Sequence, residues 1–162
     1  MDTSAFLYYL TAQPIYRGQV VHIEHIPARE ASCAELDKPL VNGLQGCLNE
    51  HGLLPLYTHQ AEAVNYARQG RNVMVSTSSA SGKTLCYNIP VLESLLADSH
   101  SRALYIFPTK ALAQDQLRNL RELFCPDLFD VADFDTFDGD TPQAERAEIR
   151  KRARVVLTNP DM

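Results

Sequence analysis

The sequence predicts an α/β fold, a parallel sheet with flanking helices. Three observations carry that expectation. From residue 72 onward, short apolar runs alternate with longer amphipathic stretches, the rhythm of βαβ units. The runs at 103–107 and 155–157 are continuously apolar, which suits strands covered on both faces. The segments 77–82, 108–110 and 158–161 each follow the carboxyl end of a strand, where open parallel sheets take their ligands.

Taken in order, residues 1–12 read as a helix that Pro14 and Gly18 break. Residues 19–26 alternate, with Val21 and Ile23 on one face and His22 and Glu24 on the other, and suggest a short strand or extended arm closed by Pro27. Residues 1–38 are therefore expected to form an N-terminal extension, and 39–162 the main domain. From Pro39 an interrupted helical pattern runs through Leu40, Val41, Leu44 and Leu48 to a stop at His51-Gly52. A helix over 57–67 has Gly70 just past its end, where a C-terminal cap belongs. The regular rhythm follows: strand 72–76, helix 83–97, strand 103–107, helix 110–124, strand 131–136, helix 142–152 and strand 154–158.

Bulk properties narrow the function classes. A chain of 162 residues is long enough for one domain with a real core. Net charge of −5 argues against a wholesale polyanion-binding surface but leaves room for a local nucleic-acid groove. Cys33, Cys47, Cys86 and Cys125 have neither zinc-site nor disulfide-scaffold spacing, so reduced thiols are expected. The apolar cluster at 5–10 lacks a preceding basic residue and is too short to span a bilayer. The expectation is a soluble cytoplasmic protein, nucleoid-associated if bacterial, with no membrane partner. His22 and His25 lack a third metal ligand. The acidic stretch 133–140 is out of frame for a calcium loop.

The chemistry concentrates at 77–84, Thr-Ser-Ser-Ala-Ser-Gly-Lys-Thr, between an apolar run and an amphipathic helix. Small residues at Ser79, Ala80, Ser81 and Gly82 let successive backbone N–H groups curl around a polyphosphate, and the helix start adds its partial positive charge. Lys83 is placed to reach the β- and γ-phosphates, and the Thr84 hydroxyl to complete a Mg²⁺ shell. Thr77 stands where the general motif has glycine. A Ser-rich turn with Ser81 as a helix cap is the bland alternative. Upstream, the Gln60 amide offers donors and an acceptor that match the edge of adenine, and Tyr57 could stack on the purine. At Pro108-Thr109-Lys110, backbone N–H groups, a hydroxyl and a cation meet at a helix start, which fits a nucleic-acid phosphate as well as a plain cap. Thr158 and Asn159 repeat that logic, and Gly139 permits close approach of a sugar-phosphate strand. Arg146, Arg150, Lys151, Arg152 and Arg154 read first as a solvated, salt-bridged helix face, with Glu148 four residues before Arg152.

In this order, Tyr57-Thr58-His59-Gln60, Ser79–Thr84, Phe107–Gln114, Gly139-Asp140-Thr141 and Thr158-Asn159-Pro160-Asp161 resemble the Q motif, motif I, motif Ia, the following Gly-containing loop and motif Ib of superfamily 2 helicases. Residues 104–116 with 136–142 are similar to the DEAD/DEAH-box DNA helicases of the RecQ-related Hrq-like and mitomycin repair factor A type. The resemblance implies a RecA-like domain, ATP with Mg²⁺ as cofactors, and nucleic acid as partner. DNA, single-stranded or duplex, in repair is expected, with RNA as the alternative. It places ATP on Tyr57, Gln60 and Ser79–Thr84. Nucleic acid falls on Pro108, Thr109, Lys110, Gly139, Asp140, Thr141, Thr158 and Asn159. The family's Asp-Glu box does not occur in these 162 residues, so an N-terminal motor-domain fragment, inactive alone, is expected. A different P-loop enzyme and an inactive nucleotide-binding module remain the competing readings.

Overall fold

A computed structural model describes residues 2–28, 30–123 and 133–162. The chain divides into two compact units, Met1–Ala31 and Ser32–Met162.

In the first unit, helix α1 (Thr3–Thr11) starts at Asp2, whose carboxylate accepts from the backbone N–H of Ser4 at 2.9 Å and Ala5 at 3.2 Å. The segment 19–26 does not become a strand, because no ladder partner reaches it among the described residues.

The second unit begins with Cys33, which forms an isolated antiparallel bridge with Tyr57. Helices α2 (Asn42–Glu50), α3 (Thr58–Arg68) and α4 (Thr84–Ala97) follow. Each buries one stripe at helical spacing: Leu44, Cys47 and Leu48; Ala61 and Val64; Leu85, Ile89, Leu92 and Leu95. α3 and α4 pack on one another, and Arg68 joins them through a two-pronged bond to Glu93 at 2.6 and 2.9 Å. That bond to Glu93 raises the Arg68 pKa above its ordinary value.

Among the described residues, three four-residue strands form the sheet: β1 (Ala103–Ile106), β2 (Phe134–Phe137) and β3 (Val155–Thr158). Helix α5 (Lys110–Leu123) connects the first two, and helix α6 (Gln143–Arg152) leads into the third. The order is β1-β3-β2 and every pairing is parallel, with Val155 opposite both Ala103 and Phe134. Val155 and Leu157 on the central strand are fully buried, and α5 closes over β2 and β3 with Ala113, Leu117 and Leu120.

Two expectations change. Residues 72–76 are not a strand, since pairing rather than local propensity makes one, and no ladder reaches them among the described residues. Met74 there is 94% exposed. Among the described residues, β1 pairs on one edge alone, with β3, and its Leu104 and Ile106 are exposed. The thiols also divide: Cys33 and Cys86 are free, Cys47 is disulfide-bonded, and Cys125 lies outside the described residues. The expected strand 131–136 falls partly there too, with its described portion in β2.

One buried polar contact ties α4 to the sheet. The Tyr105 hydroxyl donates to Asn88 Oδ1 at 2.9 Å, and the Tyr105 ring meets Tyr87 and Phe107 edge-on. Tyr105→Phe leaves that acceptor buried without a donor and is expected to lower stability by about 1–3 kcal/mol, read from the urea midpoint.

Candidate functional site

The parallel sheet brings the carboxyl ends of its strands to one edge. β1 runs into Pro108-Thr109-Lys110, β2 into Asp138-Gly139-Asp140-Thr141, and β3 into Asn159. α4 holds the loop 77–83 at its amino end.

That loop has the geometry of an anion cradle. Ala80 at φ 57° and Gly82 at φ 73° both lie in the left-handed region, which curls the backbone. Among the described residues, no backbone N–H from Ser79 to Lys83 has a hydrogen-bond partner. Five successive free donors, followed by a fourteen-residue helix, fit a polyphosphate. Gly82 admits only glycine: its backbone disfavours L residues, and a Cβ there would lie 2.5 Å from Gln60 Nε2. Lys83 is folded over the loop. Its ammonium donates to Ser78 O at 2.6 Å and Thr77 O at 3.2 Å, with Ser81 Oγ at 3.3 Å. Thr77, at the unusual first position, thus supplies a carbonyl for that ammonium, and its hydroxyl bonds the Ser81 hydroxyl at 2.6 Å. These bonds are to neutral oxygens, which a phosphate outcompetes.

α3 braces the loop from behind. Gln60 is only 3% exposed; its Oε1 accepts from Tyr57 N at 2.8 Å and its Nε2 donates to Gly82 O at 2.9 Å. One N–H and one lone pair therefore remain for an adenine edge. Tyr57 is exposed beside it, its ring stacked on His59 with centroids 5.9 Å apart. His59 carries no sequence signal beyond its place next to Gln60, yet its Nε2 meets Ser81 O at 2.9 Å. Cys86, buried one turn into the site, has its thiol pKa pushed up by desolvation.

The second edge is built differently. The Lys110 ammonium pairs with Asp140 Oδ2 at 2.5 Å, both side chains exposed, and the hydrogen bond raises the Lys110 pKa. Thr109 Oγ1 accepts from Leu112 N, so it does cap α5. The Asp138–Thr141 turn is locked internally: Asp138 N donates to Thr141 Oγ1, Asp140 N to Asp138 Oδ1, and Arg146 to Thr141 O. A Cβ on Gly139 would have no neighbour within 4 Å among the described residues, which leaves open space above the turn. Thr158 Oγ1 donates to Phe137 O, joining β3 to β2. Asn159 is 7% exposed; its Nδ2 donates to Asp161, and its Oδ1 has no partner among the described residues. A phosphate oxygen only accepts, so the Asn159 side chain reaches one through Nδ2, one N–H of which Asp161 now holds.

The basic cluster is largely spent on the fold. Arg152 bonds Asp133 at 2.7 Å and Asp135 at 2.6 Å, which also removes those acids from any cation site. Arg154 donates to Ser101 O and Leu95 O, and Arg146 and Arg150 lie over the Phe137 ring. Glu148 pairs with Lys151, not with Arg152, because Arg152 turns toward β2.

Comparison with known proteins gives this geometry a lineage. The DEAD/DEAH box helicase profile matches residues 57–162, which includes every loop just described. The uncharacterized ATP-dependent helicase YprA of Bacillus subtilis is 45% identical over 88% of this chain and 19% of its own length. The ATP-dependent helicase hrq1 of Schizosaccharomyces pombe is 42% identical over 94% of this chain and 15% of its own. A crystal structure of the DUF1998 helicase MrfA bound to DNA and AMPPNP superposes with a TM-score of 0.81 at 40% identity, over 98% of this chain and 22% of that one. The chain thus spans about a fifth of the length of these relatives. Its three-stranded parallel sheet with flanking helices is a RecA-like helicase fold, and the chain belongs to the DEAD/DEAH box helicase family.

Proposed function

We propose that this chain is the nucleotide-binding part of an ATP-dependent DNA helicase motor that serves DNA repair in the cytoplasm. The observation that carries the reading is the loop at 79–83, with five free N–H donors and Lys83 poised over them at the start of α4. MgATP is the ligand: Lys83 exchanges its bonds to Ser78 and Thr77 for the β- and γ-phosphates, and Gly82 and Ser81 offer backbone donors. Tyr57 and the remaining amide group of Gln60 face the adenine. Thr84 is the residue of this chain that holds Mg²⁺, which when bound neutralises charge on the terminal phosphates. A DNA strand crosses the other edge, over Pro108–Lys110, the open space at Gly139 and the ends of β2 and β3. The DNA preference is supported by the likeness to a structure determined with DNA. The main domain over 39–162 holds both edges, and 1–38 is its N-terminal extension.

Phosphate contacts give affinity and salt dependence without sequence information. Lys110 and Asp140 make that testable in opposite directions, because the carboxylate competes with phosphate for the same ammonium. Lys110→Ala is expected to weaken binding of a fluorescein-labelled single-stranded DNA by roughly tenfold at low salt, and Asp140→Asn to tighten it by roughly threefold. Fluorescence anisotropy reads both. Equal weakening by the two substitutions sinks the assignment of this edge to DNA, and tighter binding of the matching RNA reassigns the substrate.

A further inference from the structure

We propose that His59 is a positioning residue for the nucleotide phosphates, acting through the backbone of the loop rather than on the ligand. The proposal rests on the reading of 79–83 as a phosphate cradle.

Two neighbouring side chains of α3 hold two consecutive carbonyls of the loop. His59 Nε2 lies 2.9 Å from Ser81 O, and Gln60 Nε2 donates to Gly82 O at 2.9 Å. In a trans peptide the C=O and the N–H of one plane point in opposite directions. Anchoring Ser81 O toward α3 therefore turns the Gly82 N–H away from α3, and anchoring Gly82 O does the same for the Lys83 N–H. Both N–H groups are without partners among the described residues, and both belong to the cradle.

The chemistry fixes the histidine's state. A carbonyl oxygen only accepts, so Nε2 carries the hydrogen in this contact. Stacking against Tyr57, with ring planes 20° apart, holds the imidazole in the orientation the bond needs.

The need for such a device follows from Gly82. Glycine populates positive and negative φ almost equally, so the Ser81–Gly82 peptide is the part of the loop most free to turn over. Turned over, it would present the Ser81 carbonyl, a negative dipole end, where a phosphate oxygen must sit. Gln60 guards the next peptide only. His59 is the side chain that guards this one.

The test uses the full chain and three substitutions, His59→Ala, His59→Gln and Lys83→Ala, with Kd for MgADP, MgGDP and inorganic tripolyphosphate measured by calorimetry. His59→Ala is expected to weaken all three ligands by a similar factor, about tenfold, since the lost bond orders a phosphate-binding peptide and not a base contact. His59→Gln retains an N–H near the position of Nε2 and is expected to stay within about threefold of the parent. Wild-type affinity in His59→Ala overturns the proposal. So does weakening confined to ADP, or His59→Gln as weak as His59→Ala. If the parent binds none of the ligands, or Lys83→Ala binds them unchanged, the cradle reading itself fails and takes this inference with it.

Discussion

Gly82→Ala is expected to weaken nucleotide binding about a hundredfold and to loosen the loop that α3 braces. Two effects add. At φ 73° an L residue is strained by about 1–2 kcal/mol. The new Cβ also arrives 2.5 Å from Gln60 Nε2, on a residue that is 3% exposed and cannot swing clear without breaking its bond to Gly82 O. Losing that bond removes about another 1 kcal/mol. Together these approach 2.7 kcal/mol, which is a factor of about a hundred. Calorimetric titration with MgADP reads the affinity, and thermal melting the loop. Gly139→Ala is the control: its φ is not positive and its Cβ meets open space, so the melting temperature should not move.

Lys83→Ala is expected to abolish measurable MgADP binding while leaving the fold intact. Among the described residues, the ammonium touches only the loop's own oxygens, at Ser78, Thr77 and Ser81, and those groups reach solvent once it is gone. Stability should change by less than about 0.5 kcal/mol. The charge-assisted bonds to phosphate have no substitute, and their loss corresponds to about 1.5–3 kcal/mol for each bond. Unchanged MgADP affinity in this variant would move the nucleotide away from 77–84.

The fold was legible where local pattern and burial coincide. The continuous apolar run at 103–107 contains β1, the run at 155–157 makes up most of β3, and the amphipathic stretch read as a helix over 83–97 contains α4. Residues 72–76 look equally strand-like, but a ladder is a non-local fact, and the sequence around them does not say who pairs. The site divides along the same line. Gly82-Lys83-Thr84 is visible because spacing along the chain decides its chemistry. His59 was not, because its role depends on facing Ser81, twenty-two residues away. Asp140 read as one of the nucleic-acid-binding residues; only its contact with Lys110 shows it competing with the phosphate that Lys110 would bind. Arg152 read as half of a helix-surface pair with Glu148, while the sheet draws it to Asp133 and Asp135. Cys47 read as a reduced thiol for want of any partner at telling sequence distance.

The central claim is that one chain carries two sites, a nucleotide cradle at 77–84 and a nucleic-acid edge at Lys110 and the ends of β2 and β3. A small-molecule kinase would have an acceptor pocket instead of the second site. The most direct test is a crossed titration: labelled single-stranded DNA and MgAMPPNP, each measured with and without saturating amounts of the other, on the parent chain, Lys83→Ala and Lys110→Ala. The expected result is that both ligands bind the parent together, Lys83→Ala loses the nucleotide and keeps the DNA, and Lys110→Ala does the reverse. Mutual displacement of DNA and nucleotide from the parent, or loss of both ligands in Lys83→Ala with the fold intact, would contradict it.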